Sequence, residues 1–282
     1  MLAMPHVARM PLSAEDVASY NEHGYLHIAG FYDQARDIDP ILGDIRRLIA
    51  LIAAEHQLGL GTSSGAADDF DLPLVEMVRD HRPKVGILYD AVKKLQSYVR
   101  LANDQRHADL AAQLLGTEFV GFANRGYGIR MDHSSEDRFL TQLHQDYVSQ
   151  MCSPRGVVFW SPLRDVTEDL GPVELFAGSH RTGILPIHKL GSASEDYLIA
   201  DEQHILDGFA AVRPLPRVTD LLVSDALLVH RSSPNRSGRT RWAMISRYFD
   251  FLDPTGRRNG WHGGLQEGRS FSEAHPDLCE GE

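Results

Sequence analysis

Two histidines and an aspartate supply the residue types of a metal site. His144 and Asp146 are separated by one residue, so on a β-strand both side chains would point to one face, about 6.5 Å apart at Cα, while Gln145 would point away. A third ligand can come from His230, which follows the apolar segment 227–229. Two imidazoles and one carboxylate leave coordination positions open, which suits an iron(II) ion that must also bind a co-substrate and oxygen. Zinc sites more often keep a single open position.

An arginine follows the second histidine at the start of another predicted strand. The guanidinium of Arg241, fixed beside a metal, can bind a dicarboxylate through two parallel hydrogen bonds. Arg239 lies two positions earlier on a predicted turn and is less suited to this role. The His-x-Asp triplet alone is a weak signal, because the chain contains 14 histidines and 39 acidic residues. The triplet, the distant histidine and the arginine together predict an oxygen-activating iron site.

These motifs resemble the phytanoyl-CoA dioxygenase-like family of iron(II)- and 2-oxoglutarate-dependent oxygenases. The resemblance covers nearly the whole chain, and the combination of motifs is specific although each piece is not. The motifs lie at residues 12–31, 143–146, 160–163, 171–180, 219–220, 230–237 and 241–243. Leu170, Ala177 and Thr219 depart from the family pattern, which commonly has Asn, Pro and Gly there. These departures lie in turns rather than at ligands.

The resemblance implies iron(II) as cofactor and 2-oxoglutarate as co-substrate. His144, Asp146 and His230 would hold the iron, and Arg241 would pair with the distal carboxylate of 2-oxoglutarate. The implied activity is hydroxylation of an unactivated C–H bond of a small-molecule metabolite by molecular oxygen, with succinate and carbon dioxide as by-products. Related halogenases have a small residue in place of the carboxylate, so Asp146 argues against halogenation.

Three further residues are expected near the co-substrate. Ser232 would form a hydrogen bond close to the 2-oxoglutarate carboxylate, as the resemblance implies. Trp160 matches a position that lines the co-substrate pocket in relatives, although an ordinary place in the core is equally open. Gln142 shares the strand parity of His144, so it should either contact co-substrate or substrate, or pack in a polar part of the core.

Several other residues have two open interpretations. His180 follows a Gly-Ser turn, and a structural hydrogen-bonding role is favoured over catalysis. Tyr147 is expected to line either the pocket or the barrel wall. Arg125, Arg130 and Arg138 precede the metal-binding segment and are candidates for binding an anionic substrate, although solvated surface arginines are commoner.

The elements that must position these residues change in character after residue 116. Ser13 is a predicted N-cap, and Asp16 completes a capping box for a helix that ends at Gly24. A strand is predicted at 25–28. Helical apolar periodicity then recurs at 37–57, 72–79, 85–101 and 104–115. Short β-rich segments follow at 119–129, 140–143, 156–162, 173–176, 184–187, 221–223, 227–229 and 242–249.

This pattern favours an α+β fold with a double-stranded β-helix core, that is, a jelly roll of the cupin type, rather than a parallel sheet. We expect one oxygenase domain over residues 1–282. Its parts are a mainly helical region at 1–116, the jelly-roll core at 117–252 and a C-terminal extension at 253–282. The loop 59–65 and a predicted insertion at 188–210 are candidate walls or lids of the site.

Composition disfavours other classes of protein. The net charge of -11 and the lack of a basic run argue against nucleic-acid binding. The longest apolar run of the first third, at 48–54, is far shorter than the ~20 residues of a membrane span, and the first residues lack the apolar region of a secretion signal. Cys152 and Cys279 form neither a disulfide framework nor a zinc spacing, so a reduced, cytoplasmic setting is expected.

Two alternative functions remain open at this stage. A cupin-like metal-dependent isomerase or hydrolase would not use 2-oxoglutarate and would not need Arg241. A non-catalytic binding module would not need an intact set of ligands. Among substrates, a small metabolite, free or carried on a larger group, is preferred over a coenzyme A ester, because no lysine-rich site for phosphates is evident. The sequence leaves the oligomeric state open.

Overall fold

Helices dominate the first part of the chain. The structure is a computed structural model that describes residues 7–61, 70–123, 127–134, 136–189, 197–264 and 267–280. The helices before residue 116 are α1 (Ala14–His23), α2 (Asp39–Glu55), α3 (Leu72–Asp80), α4 (Arg82–Val92), α5 (Gln96–Ala102) and α6 (Gln105–Leu115). Those that follow are α7 (Glu202–Gly208), α8 (Pro254–Arg258) and α9 (Phe271–Ala274).

The strands of the described residues form three sheets. They are β1 (Val7–Ala8), β2 (Tyr25–Ile28), β3 (Val120–Phe122), β4 (Gly128–Asp132), β5 (Gly156–Pro162), β6 (Val173–Phe176), β7 (Ile187–Lys189), β8 (Tyr197–Ile199), β9 (Ala211–Val212), β10 (Leu221–Asp225), β11 (His230–Ser232), β12 (Arg241–Asp250) and β13 (Cys279–Glu280). The largest sheet has the order β1-β2-β10-β5-β12-β3, and β4 also pairs with β12. The smaller sheets have the orders β11-β6-β9 and β13-β7-β8. The long strand β12 pairs antiparallel with β5 on one side and with β3 and β4 on the other.

Apolar stripes on the helices bind them to the largest sheet. In α2, Ile41, Ile45, Ile49 and Ile52 recur at helical spacing, and all four are buried. They belong to one apolar cluster with Phe159 of β5. Because side chains alternate along a strand, the neighbours of Phe159 in β5 point to the opposite face of the sheet, away from the helices.

The structure confirms the capping box and the glycine end that the sequence predicts for helix α1. The hydroxyl of Ser13 accepts a hydrogen bond from the backbone N–H of Asp16 at 3.1 Å, and the Asp16 carboxylate accepts one from the backbone N–H of Ser13 at 2.8 Å. Helix α1 ends at Gly24, whose φ of 76° is left-handed. A Cβ at Gly24 would lie 2.4 Å from Nδ1 of His180, so both the backbone angle and the close approach require glycine here.

Several predicted elements differ from the structure. The single helix predicted at 85–101 is two helices, α4 and α5, because the chain turns at 93–95 while its apolar periodicity continues. The strand predicted at 119–129 contributes to β3 and β4, whereas 140–143 and 227–229 are not strands. The predicted C-terminal extension at 253–282 begins with α8, which Asp253 caps through its carboxylate.

The chain thus combines helices and sheets in a mixed fold. Among the described residues, no helix is both long enough and apolar enough to cross a membrane. The single domain over 1–282 and its three parts stay predictions, and residues 62–65 of the predicted loop lie outside the described residues.

Candidate metal centre

His144 and His230 lie opposite each other in an antiparallel β-bridge. The backbone N–H of each residue donates to the carbonyl of the other, at 3.1 Å in both directions. This reciprocal pair holds the two residues side by side, with their ring centroids 4.2 Å apart. His230 begins β11, but His144 belongs to no named strand. The strand predicted around the His-x-Asp triplet is therefore only a single bridge.

Asp146 reaches the same point through a turn rather than through strand alternation. It begins a short 3-10 helix, and the backbone N–H of Tyr147 ties this helix to the carbonyl of Ala226 at 3.0 Å. The Asp146 carboxylate lies 3.9 Å from Nε2 of His144 and 3.7 Å from Nε2 of His230. The three candidate ligand atoms lie within 4.8 Å of one another, so a single ion can contact all of them.

Backbone carbonyls fix the tautomer of both imidazoles. Nδ1 of His144 lies 2.8 Å from the carbonyl oxygen of Gln142 and 3.1 Å from that of His230. Nδ1 of His230 lies 2.9 Å from the carbonyl oxygen of Leu228. Because a carbonyl only accepts, each Nδ1 carries the proton and each Nε2 keeps its lone pair. Both lone pairs are therefore available to a metal beside Asp146.

Burial and charge hold two of the candidate ligands in the protonation states that bind metals. Burial, together with the adjacent His230, lowers the pKa of His144 to about 3, so this imidazole is neutral at pH 7. Burial raises the pKa of Asp146, but Arg247 and the two imidazoles outweigh burial and hold the pKa well below its usual range. A neutral imidazole and an ionised carboxylate are the coordinating forms.

Arg247 is a site residue that the sequence analysis missed. Its Nη2 donates to Oδ1 of Asp146 at 2.7 Å, and Asp146 is only 4% exposed. Arg247 lies six positions after Arg241 on β12, an even offset, so both side chains leave the same face of the strand. This alternation within a predicted strand was the signal that would have found it.

One cavity brings the candidate ligands together with most of the predicted co-substrate residues. Arg241, Ser232 and Trp160 all lie in its wall. The described lining consists of Arg130, Thr141, His144, Asp146, Val158, Trp160, Val173, Leu175, Leu222, Ser224, His230, Ser232, Arg241, Ile245 and Arg247. The cavity therefore places a guanidinium, a hydroxyl and apolar walls around the triad.

Arg241 is almost fully buried and is held by Asp132. Its Nε and Nη2 donate to Oδ2 of Asp132 at 3.2 and 2.9 Å, and its Nη1 lies 3.5 Å from the carbonyl oxygen of Ser233. A guanidinium has five N–H groups, so one on Nη1 and one on Nη2 remain for a further acceptor. Asp132 also accepts a hydrogen bond from Arg130 at 2.9 Å. Two cations thus share one carboxylate, which leaves positive charge at this end of the cavity.

The structure does not bring Gln142 into the cavity with the candidate ligands, so its contact with co-substrate stays a prediction. Its side chain is exposed and donates weakly to the carbonyl of Leu140, at 3.4 Å. The prediction assumed strand alternation through 140–143. Because that segment is not a strand, Thr141 lines the cavity instead.

Gln145 points away from the ligands, as expected, and connects the segments that carry them. Its Nε2 donates to the carbonyls of Gly183 and Leu227, at 2.9 and 2.7 Å. Its Oε1 accepts from the backbone N–H of Leu185 at 3.0 Å. The side chain is 1% exposed. This amide therefore fixes the His144 segment against the segment that leads into His230.

The residues with two open interpretations divide between the cavity and the surrounding wall. His180 donates through Nε2 to a backbone carbonyl of α1 and lies outside the cavity, in line with a structural role. Tyr147 is fully buried against Phe271 of α9 and does not line the cavity. Arg138 is exposed, whereas Arg130 lines the cavity. Arg125 lies outside the described residues.

The candidate metal ligands and Arg241 lie in a part of the chain that matches a known protein family. The profile of the family described as phytanoyl-CoA dioxygenase (PhyH) matches residues 20–243, a range that contains all three candidate ligands and Arg241. The phytanoyl-CoA dioxygenase domain-containing protein 1 homolog of Dictyostelium discoideum is 24% identical over an alignment of 276 positions, and the match covers 86% of this chain and 92% of that protein.

The fold is similar to those of several solved structures. The α-ketoglutarate dependent epimerase SnoN from nogalamycin biosynthesis superposes with a TM-score of 0.55 at 18% identity, over 84% of this chain and 81% of that one. EctD from S. alaskensis, solved with 2-oxoglutarate and 5-hydroxyectoine, gives a TM-score of 0.54 at 19% identity, over 85% and 77%. At these identities the likeness shows a shared arrangement of helices and sheets.

Proposed function

Because the chain belongs to the phytanoyl-CoA dioxygenase family, we propose that it is an iron(II)- and 2-oxoglutarate-dependent dioxygenase that hydroxylates an unactivated C–H bond of a small-molecule metabolite. The observation that carries the proposal is the cavity in which His144, Asp146 and His230 present their ligand atoms near Arg241. In the overall reaction one atom of dioxygen enters the C–H bond, the other enters succinate, and carbon dioxide is released.

The donor set fits iron(II). Two imidazole nitrogens and one carboxylate oxygen leave positions open for co-substrate and oxygen. Arg247 engages Oδ1 of Asp146, so Oδ2, the oxygen 3.7 Å from Nε2 of His230, is the one left for the metal. When bound, iron supplies the electrons that couple reduction of dioxygen to oxidative decarboxylation of 2-oxoglutarate.

The other residues of the cavity bind and orient the co-substrate. Arg241 accommodates the distal carboxylate of 2-oxoglutarate with its two remaining N–H groups, and Ser232 adds a hydroxyl beside it. Val158, Leu175 and Trp160 present apolar surface that excludes water from the reacting atoms. The role of the chain is therefore to orient the co-substrate and keep its surroundings dry.

The proposal includes a double-stranded β-helix as the scaffold. In such a core two sheets face each other across the site. The support is an apolar cluster that joins Trp160 and Leu222 of the largest sheet to Leu175 and Val212 of the sheet β11-β6-β9. Three of these strands, β5, β6 and β10, also line the cavity.

Anaerobic titration followed by oxygenation tests the proposal. Iron(II) plus 2-oxoglutarate should give a weak visible charge-transfer band in the wild type, and oxygen should then yield succinate. His144→Ala should lose the band. Arg241→Lys should keep iron but need roughly 10–100-fold more 2-oxoglutarate, because one charge-assisted interaction of about 1.5–3 kcal/mol is lost.

The matched control is Arg239→Lys. Arg239 lies two residues earlier, pairs with Asp71 at 3.4 Å and does not line the cavity, so its substitution should leave the titration unchanged. A wild-type enzyme that forms no succinate would contradict the dioxygenase and favour the isomerase or hydrolase that needs no 2-oxoglutarate. A band of equal strength in His144→Ala would refute the ligand set.

A further inference from the structure

The cavity at the triad is too small for an organic substrate beside the co-substrate. Its volume is about 70 Å³. Binding sites for drug-sized ligands usually measure about 300–1,000 Å³. If the proposed function is right, this cavity is filled by 2-oxoglutarate, and the main body of the substrate must lie in an adjoining space.

Two neighbouring cavities share lining residues with the metal cavity in the part of the chain that the structure describes. One shares Asp146, Val158 and Arg247, but its volume is only about 10 Å³. The other shares Arg130 and has a volume of about 380 Å³. Of these two spaces, only the second can hold a metabolite of ordinary size. We call it the β4 cavity, because Arg130, Met131 and Asp132 of β4 form one of its sides.

The walls of the β4 cavity are largely apolar and partly aromatic. Val85 and Tyr89 come from α4, Met131 from β4, and Phe139 and Leu140 from the segment that leads to the first candidate ligand. Tyr89 and Phe139 are 40% and 54% exposed, so two aromatic side chains stand without full burial at one concave surface. Such walls favour a ligand with extended apolar or ring surface.

The charged groups of the β4 cavity are already paired with one another. Arg82 donates to both carboxylate oxygens of Glu136, at 2.7 and 2.9 Å. Arg130 donates to both oxygens of Asp132, at 2.9 and 3.0 Å. The second cation on Asp132 is Arg241, whose remaining N–H groups serve the 2-oxoglutarate carboxylate in the proposed function. The arginines and carboxylates that line this cavity are therefore engaged with one another, so a charged ligand would lose its hydration with little compensation from them.

Arg130 forms the boundary between the two cavities. Its guanidinium is held on three sides, by Asp132, by the hydroxyl of Thr141 at 2.5 Å and by the carbonyl of Phe139 at 3.1 Å. Thr141 lines the metal cavity and Phe139 lines the β4 cavity. Because Arg130 lines both cavities, a substrate body in the β4 cavity would lie next to the cavity of the candidate metal ligands.

We propose that the β4 cavity binds the body of the organic substrate, and that this substrate is an uncharged, largely apolar molecule with ring or extended hydrocarbon surface. The inference rests on the proposed function for the identity of the neighbouring metal cavity. It names the substrate class that the dioxygenase should accept. Free acids, phosphates and amines should bind less tightly, because the arginines and carboxylates of the lining are already paired.

A cavity-filling glycine variant tests the location. Gly86 lies on α4 in the lining of the β4 cavity, and a Cβ there would meet no atom within 4 Å, so the backbone at Gly86 has room for the start of a side chain and Gly86→Phe is the test variant. Gly43 on α2 is also helical and equally open, but it does not line the cavity, which makes Gly43→Phe the matched control. Both changes replace a helical glycine, so their effects on helix stability should be similar.

The probes are a neutral fluorinated naphthol and the anionic fluorinated naphthoate, titrated by fluorine NMR. The wild type should bind the naphthol at least about tenfold more tightly than the naphthoate, because the anion gains no partner for its charge. Gly86→Phe should weaken naphthol binding about tenfold or more, and Gly43→Phe by less than about twofold. Equal affinity for the two probes, or equal binding by the two variants, would overturn the proposal.

Paramagnetic relaxation separates failure of this inference from failure of the proposed function. With Mn(II) bound, as followed by its electron paramagnetic resonance signal, the fluorine signal of bound naphthol should relax faster than with Zn(II). Unchanged relaxation with Mn(II) bound would overturn the inference alone, since the probe would then be distant from the metal. Failure of Mn(II) to bind at all would overturn the proposed function, and the assignment of the β4 cavity to its substrate would fall with it.

Discussion

Replacing Arg247 by methionine should destabilise the metal-free protein far more than the metal-bound protein. The guanidinium lies 2.7 Å from the carboxylate of Asp146, whose side chain is only 5% exposed. Methionine keeps a long apolar stem but removes the cation, so the buried carboxylate loses its neutralising partner. Loss of one member of a buried ion pair costs about 3–5 kcal/mol. For a chain of this size the melting temperature of the metal-free variant should fall on the order of 10 °C.

A bound divalent cation should recover much of this loss, because it neutralises Asp146 in place of Arg247. By linkage, the stabilisation recovered must appear as tighter metal binding, so Arg247→Met should bind Mn(II) about tenfold or more tightly than the wild type. The assay is thermal unfolding in chelator and in saturating Mn(II), with the dissociation constant measured by electron paramagnetic resonance.

The control is Arg236→Met, which breaks an ion pair with Asp137 whose two side chains are 53% and 49% exposed. Solvent screens such an exposed pair, so this variant should melt near the wild type with or without metal. If Arg247→Met loses the same stability in chelator and in Mn(II), the contact with Asp146 does not act through its charge and the reasoning is refuted.

The remaining predictions concern buried polar groups outside the metal cavity. Gln145→Leu should lower the free energy of unfolding by about 2–5 kcal/mol in urea titrations, because two buried carbonyls and one N–H lose their hydrogen-bond partner. The control, Gln203→Leu at an exposed position, should change this free energy by less than about 0.5 kcal/mol. Equal effects of the two substitutions would contradict the positioning role of Gln145. Burial lowers the pKa of His107 from 6.5 to about 4. Below pH 6.5 the imidazole therefore binds a proton in the unfolded chain, whereas in the folded protein it stays neutral down to about pH 4. The free energy of unfolding should fall as the pH drops from 6.5 to 4. His107→Gln should reduce this loss by roughly 2–3 kcal/mol between pH 6.5 and pH 4, and an unchanged pH profile would count against the buried neutral imidazole.

The metal site could be read from the sequence because its chemistry depends on residue types. His144, Asp146 and His230 are a recognisable donor set, and Arg241 stands at the start of a strand that the apolar pattern also predicted. The structure brings all four to one cavity. Ser232 and Trp160, expected through the family resemblance, lie in the same wall.

The positions at which sequence and structure differ depend on contacts between segments that are distant in the chain. Strand alternation was assumed through 140–146, but this segment is held by a single bridge and a turn, whose hydrogen bonds come from residues distant in the chain. Gln142 was therefore placed in the cavity, and Thr141 was overlooked. Arg247 was missed although it lies on a correctly predicted strand, because the partner that gives it a role, Asp146, comes from another part of the chain.

The even spacing of Arg241 and Arg247 on β12 limits how that strand can change in length. Inserting or deleting one residue between them would rotate one guanidinium to the side of the sheet covered by helices, unless a bulge absorbed the change. A change of two residues would keep both groups on the same side but move one of them along the strand by about 6.5 Å. Redesigns that preserve both contacts should therefore alter this stretch by substitution, and a library of insertions should recover active members only where a compensating bulge has formed.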